Sequence, residues 1–394
     1  MLQGKCVVLG VTGSIAAYKI ASLASALKKL GADVEVIMTK NATNFINPIT
    51  FETLTGNKCL VDTFDRNFDF SVEHVSLAKK ADIFMVAPAS ANVIGKIANG
   101  ICDDMLTTTF MAAKCTKIIS PAMNTAMYEN AILQDNLKKL ESYDIQVIKP
   151  ASGYLACGDV GTGKMPEPEV LLQYILQEIE YEKDMVGKRV LVTAGPTREA
   201  IDPVRFISNH STGKMGYAIA RVASRRGAEV TLVSGPTNLN KPLGVRVIDV
   251  TSAGEMYDAV VANYKDADII IKSAAVADYT PTTVANQKMK KSDDDMSIEL
   301  KRTTDILAWL GENKKPNQKV CGFAMETQDL IENATAKLKK KNADMIVANS
   351  IATEGAGFGV DTNVATLITS DGAESLDMMS KEELAMVILN RLNL

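Results

Sequence analysis

The chain opens on GKCVVLGVTGSIAAYKIASLASALKKLGADVEVIM, residues 4–38, and starts the same way again at residue 187 with GKRVLVTAGP. GKMGYAIARVASRRGAEVTLVSGP follows from residue 213. This repeated opening constrains the fold more than any other feature. Each copy holds a short apolar run that stops at a glycine, a helical period, a second glycine and another apolar run. An apolar run without alternation fits a strand covered on both faces, and the helix between two such runs makes a parallel crossover. The first copy predicts a strand at 6–10, a helix at 15–30 closed by Gly31, and a strand at 34–38. The second copy is longer. Its excess, TREAIDPVRFISNHS at 197–211, forms an inserted loop between strand and helix, where doubly wound sheets bind ligands.

Further buried strands are expected at 83–87, 117–120 and 146–148, then at 245–250, 268–272 and 345–348, with helices between them. The expected fold class is therefore α/β: two doubly wound, largely parallel sheets of the Rossmann or flavodoxin-like kind. A length of 394 residues exceeds what one core usually organises. The charged stretch YEKDMVGKR at 181–189 supplies the junction, giving domains 1–185 and 186–394.

Composition narrows the function classes. Lys plus Arg number 43 against 47 Asp plus Glu, a net charge of −4, which argues against general nucleic-acid binding. Six scattered cysteines without a CxxC pair fit a reduced cytosolic protein better than a disulfide scaffold or a zinc site. No charge-free run approaches the roughly 20 residues that span a bilayer, and the first residues lack a signal-peptide layout. The protein is expected to be soluble and cytoplasmic.

Several segments of the first half sit where strands end. Gly13, Ser14 and Ile15 could present backbone N–H groups and a hydroxyl to a phosphate at a helix start, or form a plain tight turn. The absence of GxGxxG favours a single phosphate over a dinucleotide. Ser90 and Asn92, in APASAN, could wall a flat cofactor or simply allow close helix–sheet contact. Asn124, in PAMNTAM, reads equally as an N-cap, and His74 as an ordinary helix-start histidine. Cys157 lies in GYLACGDVGTGKM, a glycine-rich segment expected to be mobile.

Taken together, residues 13–19, His74, 87–90, 121–124 and 156–158 resemble, in order and spacing, the flavin-dependent cysteine decarboxylases. With the second half, the whole chain resembles the bifunctional coenzyme A biosynthesis family, phosphopantothenoylcysteine decarboxylase fused to phosphopantothenate–cysteine ligase. The resemblance implies FMN, held around Gly13, Ser14, Ile15, Thr39, Ser90 and Asn92. It also implies oxidation of the substrate thiol to a thioaldehyde, which accepts the electrons of the breaking carbon–carbon bond. Cys157 then corresponds to the proton donor for the resulting enethiolate; an ordinary thiol pKa of about 8.5 suits that exchange. His74 corresponds to a histidine acting early on the thiol or carboxylate, and Asn124 to the residue holding the carboxylate. Lys164 stands where many relatives have arginine, keeping the charge but not the bidentate geometry.

In the second half, RFISNHSTGKMG at 205–216 gathers polar donors before a helix without the Walker spacing. The lysine cluster after KSAAVADYT could be a solvated face. The resemblance implies instead that CTP activates the carboxylate of 4′-phosphopantothenate as an acyl-cytidylate, which the amine of cysteine then attacks. It assigns Lys288 to activation, with Arg205 and Asn209 around the intermediate. Lys272, Ser273, Ala274, Asp278, Lys288, Thr304, Asp305, Ile306, Leu307, Phe323, Lys337 and Lys341 fall at CTP contacts. Lys337 and Lys341, four apart, would share a helix face. No carboxylate cluster suggests a fixed metal site, so Mg2+ is expected to arrive with CTP. Assembly as a homo-oligomer, a dodecamer of decarboxylase trimers joined through ligase dimers, is likewise implied. Two other readings remain: a flavin or nicotinamide oxidoreductase acting on an external substrate, and a non-catalytic regulatory flavoprotein.

Overall fold

The computed structural model describes residues 2–64, 73–154, 158, 160–290, 297–326, 329–350, 357 and 359–393. The chain forms two compact units, Met1–Tyr181 and Glu182–Leu394, each built around a sheet.

In the first unit, β1 (Cys6–Val11), β2 (Asp33–Met38), β3 (Ile83–Ala89), β4 (Thr116–Pro121) and β5 (Gln146–Val147) form a parallel sheet in the order 2-1-3-4-5. Every residue of β1 and β3 is buried, as their unbroken apolar runs require of strands covered on both faces. The order reverses between β1 and β3, so a crevice opens beyond their carboxyl ends. Thr12, fully buried, ties that point together: its Oγ1 donates to the Pro88 carbonyl at 2.7 Å and accepts from Ser90 N–H at 2.9 Å. The helix expected at 15–30 is shorter. A 3-10 turn, Ile15–Ala17, precedes the α-helix Tyr18–Lys29. Ser14 accounts for this, since its Oγ accepts from Ala16 N–H and caps the 3-10 turn rather than the α-helix.

The glycine-rich stretch expected as a loop carries an antiparallel ribbon, β6 (Ala151–Tyr154) with β7 (Val160–Lys164), pairing Tyr154 with Val160. Cys157 lies outside the described residues.

In the second unit, β8 (Arg189–Ala194), β11 (Glu229–Ser234), β12 (Val245–Asp249), β13 (Ile269–Lys272), β16 (Lys319–Glu326) and β17 (Met345–Ser350) run parallel in the spatial order 12-11-8-13-16-17. The switch point lies between β8 and β13. The sheet is extended antiparallel by β19 (Ala365–Thr369) and β20 (Gly372–Ser375), reached after the short β18 (Thr362–Asn363). β12 and β20 are its margins. The insertion expected as a loop is a second ribbon, β9 (Arg198–Ala200) with β10 (Phe206–Ser208). A third ribbon joins β14 (Tyr279–Pro281) to β15 (Leu300–Arg302). Among the described residues no helix is long and apolar enough to cross a membrane.

Candidate active sites

Beyond the carboxyl ends of β1, β3 and β4 the first unit holds a cavity of about 750 Å³, within the range of roughly 300–1,000 Å³ usual for small-molecule sites. Gly13, Ser14, Ile15, Ser90 and Asn124 line it, as do Lys19, Met123, Met127, Tyr154, Lys164, Met165 and Glu167. Gly13 is required by crowding: a Cβ there would stand 2.8 Å from Asn41 Cβ. Ser90 caps the helix Ala91–Ala98 through Val93 N–H, and Asn124 caps Thr125–Tyr128 through Ala126 N–H at 2.9 Å. The N-cap reading of Asn124 therefore holds, Ser90 is an N-cap that was not expected, and both also face the cavity. The β7 ribbon strand closes one side, with Met123 N–H donating to the Gly163 carbonyl at 3.1 Å.

Two lysines share one carboxylate in this cavity, which leaves it net positive. Lys19 Nζ donates to both oxygens of Glu167 at 2.8 Å, and Lys164 approaches the same carboxylate at 3.6 Å. The Lys19 hydrogen bond holds the Glu167 carboxyl below its usual range. Neither member of this pair was singled out for a role in the sequence, since 148 residues separate them. Three expected residues stand off. Thr39 is buried at the end of β2, its Oγ1 without a partner. Asn92 is exposed on the first turn of Ala91–Ala98, and His74 is half-buried on the helix Glu73–Lys80. None of the three lines the cavity.

The second unit carries two adjoining cavities of about 260 and 370 Å³ that share Lys272, Val276, Asp278, Phe323 and Lys337. Asn209, Ser273 and Ala274 line the first; Thr304, Asp305, Ile306 and Leu307 line the second. The helix Lys214–Arg225 begins here, at Gly213, whose φ of +80° is left-handed backbone without a side-chain cap. A Cβ on Gly213 would meet Thr237 Cγ2 at 2.8 Å, so only glycine lets the chain pass.

The walls are stitched from distant segments. Asn209 Nδ2 donates to the Ala275 carbonyl at 2.8 Å, Ala277 N–H to Thr197 Oγ1 at 3.0 Å, and Thr303 Oγ1 to the Ala277 carbonyl at 2.6 Å. Asp305 caps the helix Ile306–Asn313 through Ala308 N–H and takes Lys341 Nζ at 2.6 Å. Lys337, on the helix Leu330–Lys340, donates to the Phe323 carbonyl at 3.0 Å, while Lys341 is that helix's C-cap and lies at the rim rather than in the lining. Burial pushes Lys272 down to about 8, the neighbouring Lys337 adding to it. Lys214, one of the polar donors expected in the 205–216 segment, lines this region and pairs with Asp361 at 2.7 Å; Lys381, not expected from sequence, lines it too.

Besides Lys341, two expected residues are not in the lining. Lys288 is exposed on the segment after β14, and the Arg205 guanidinium is taken up by Asp202 and the Met289 carbonyl. Among the described residues no group of three or more His, Cys, Asp or Glu side chains could hold a metal ion.

Comparison with known proteins covers the whole chain. Residues 1–180 match the Flavoprotein family and residues 185–393 the DNA/pantothenate metabolism flavoprotein C-terminal domain. The coenzyme A biosynthesis bifunctional protein CoaBC of Bacillus subtilis (strain 168) is 49% identical over 396 residues, covering 100% of this chain and 97% of that one. Its namesake in Vibrio vulnificus (strain CMCP6) is 45% identical over 393 residues, covering 99% and 98%. A crystal structure of the C-terminal domain of such a bifunctional protein is 48% identical, covers 54% of this chain and 97% of its own, and has a TM-score of 0.47.

Proposed function

The chain belongs to the family of bifunctional coenzyme A biosynthesis proteins, and on that premise we propose how its two units divide the work. It is an enzyme of coenzyme A biosynthesis that catalyses two successive steps, a ligation and a decarboxylation. The second unit joins 4′-phosphopantothenate to cysteine at the expense of CTP. The first unit decarboxylates the product, 4′-phosphopantothenoylcysteine, to 4′-phosphopantetheine.

FMN fits the first cavity on the chemistry of its lining. The Gly13–Ser14 turn offers backbone donors at a helix start, where a phosphate is favoured. Ile15, Tyr18, Met123, Met127, Tyr154 and Met165 offer the apolar walls a flat ring needs. Bound there, FMN would accept two electrons from the substrate's thiol-bearing carbon and give them back after carbon dioxide has left, so that the decarboxylation is redox-neutral overall. Asn124 holds the carboxylate beside it, and the neutralised Lys19–Glu167 pair leaves Lys164 to orient the substrate. Cys157 returns the proton to carbon.

In the second unit Lys272 and Lys337 receive the nucleotide's phosphates, with Thr304, Asp305, Ile306 and Leu307 around the cytidine. Mg2+ arrives with CTP and offsets the charge that develops when carboxylate meets phosphate. Asn209 steadies the acyl-cytidylate and Lys288 assists its formation. His74 in one unit, and Lys288 and Arg205 in the other, stand outside the cavities of their own chain. That arrangement supports the proposal that neighbouring copies supply them, in decarboxylase trimers and ligase dimers forming a dodecamer. We place the protein in the cytoplasm.

One observation carries this reading. Each sheet places a cavity at its own switch point, one walled by apolar rings and thioethers, the other by lysines. The test is to incubate the protein with 4′-phosphopantothenate, cysteine, CTP and Mg2+ and follow 4′-phosphopantetheine by mass. The protein is expected to be yellow and to form that product; a colourless preparation, or one that stops at unreacted 4′-phosphopantothenate, overturns it.

A further inference from the structure

Asp202 lies at the turn of the β9–β10 ribbon, its side chain 0% exposed. Oδ1 accepts from Val204 N–H and Arg205 N–H, both at 2.8 Å. Oδ2 accepts from Arg205 Nε at 2.9 Å, from Arg205 Nη2, and from Met289 N–H at 3.1 Å. Arg205 Nη2 then donates to the Met289 carbonyl at 3.0 Å. Four residues earlier, Ala285 N–H donates to the Ile201 carbonyl at 3.0 Å. Met289 is thus gripped at both its N–H and its C=O by one carboxylate–guanidinium pair 84–87 residues away.

A ribbon turn alone needs no such device. Val204 and Arg205 N–H groups would be satisfied by any turn acceptor, whereas burying a charge is costly unless every partner is in place. What the buried carboxylate and its half-exposed guanidinium partner add is control over Met289, and so over the direction of the residue before it. That residue is Lys288. The Arg205 hydrogen bond holds the Asp202 carboxyl far below its usual range, so the grip persists wherever the enzyme works.

We infer that Asp202 is a positioning residue for carboxylate activation: acting through Arg205 and the backbone of Met289, it sets where the Lys288 ammonium can reach. The inference rests on the reading of Lys288 as the activating lysine. Misplacing a reacting group by about 1 Å can cost on the order of a hundredfold, so a loosened grip should be visible in rate while leaving nucleotide binding alone.

The test uses the full chain carrying Asp202→Asn, Lys288→Ala, or both. Pyrophosphate release with 4′-phosphopantothenate and CTP is measured, and decarboxylation of supplied 4′-phosphopantothenoylcysteine serves as the reference activity. Asp202→Asn is expected to lower kcat for pyrophosphate release by about tenfold or more, with KM for CTP within about twofold of the parent and decarboxylation unchanged. The double variant should be no slower than Lys288→Ala alone. A parental kcat in Asp202→Asn beside an inactive Lys288→Ala overturns the inference and leaves the reading of Lys288 intact. Losses that multiply in the double variant, or a rise in KM alone, also overturn it. A parental rate in Lys288→Ala removes the reading itself. Folding is checked by CTP-dependent fluorescence of Trp309, the single tryptophan, on the helix whose first turn lines the cavity. Should Asp202→Asn fail that check, Asp202→Glu, which keeps the charge but shifts the reach to Met289, carries the same expectation.

Discussion

The two units begin alike and finish with opposite interiors. In the first, Ser14 caps the opening 3-10 turn, and the cavity that follows is walled by aromatic rings and methionines, with Lys19 paired to Glu167 and Lys164 the one lysine left over. In the second, a ribbon is inserted before the helix and Gly213 opens it without a cap. The walls there carry Lys214, Lys272, Lys337 and Lys381. A shared βαβ start therefore fixes where a ligand sits, at the switch point, and leaves the turn and its insertion to decide which chemistry is admitted. An apolar wall suits a ring; a crowd of ammonium groups suits a triphosphate.

The sharpest way to break the comparison is to disable each unit separately. Lys288→Ala should cost pyrophosphate release about 10²–10³-fold, the scale of losing one transition-state donor, with decarboxylation intact. Cys157→Ser should do the reverse, accumulating oxidised, decarboxylated substrate while ligation continues. If either substitution stops both activities, the units are not chemically independent.

A smaller effect tests the fit of the first cavity. Gly13→Val drives a branched side chain against Asn41, and overpacking of about 1–3 kcal/mol should lower flavin content per chain by about tenfold. The ratio of visible to ultraviolet absorbance reports it, and ligation is the unchanged reference. Full flavin content in that variant would remove the turn from the cofactor site.

A pH profile separates the units next. Lys272, pushed down to about 8, is an ammonium below that pH and neutral above it. Its charge is needed by the triphosphate, so kcat/KM for CTP should fall as pH rises through about 8, by up to ~tenfold per unit. Lys272→Arg, which stays charged, should flatten that fall, and decarboxylation should show no matching dependence on Lys272. The least effect belongs to the rim. Removing the Lys341–Asp305 ion pair with Lys341→Ala should raise KM for CTP only about threefold, the scale of an exposed pair.

Much of this was legible in the sequence because glycines and apolar runs mark where strands stop. β1, β3 and β13 lie within a residue or two of their expected positions, and the residues just beyond them line cavities. Strand order was not legible: both units open on the same strand–helix–strand plan, yet one sheet runs 2-1-3-4-5 and the other 12-11-8-13-16-17. Long-range pairs were equally hidden. Nothing local in Lys19 signals Glu167, and nothing in Thr12 signals Pro88, because each partner is placed by the sheet. The insertion read as a loop is a ribbon for the same reason: Ser208 Oγ donates to the Thr197 carbonyl at 2.8 Å, a closure that no short window of sequence displays.

The eight-stranded sheet has consequences at its margins. β20 is four residues long and exposed throughout, with Glu374 pinned to Arg391 at 2.7 Å; β12 ends at Asp249, paired with Lys241 at 2.6 Å. Short, salted borders repel the addition of a foreign strand. Edge-to-edge fusion of these sheets into fibres is therefore disfavoured when copies crowd together at high concentration.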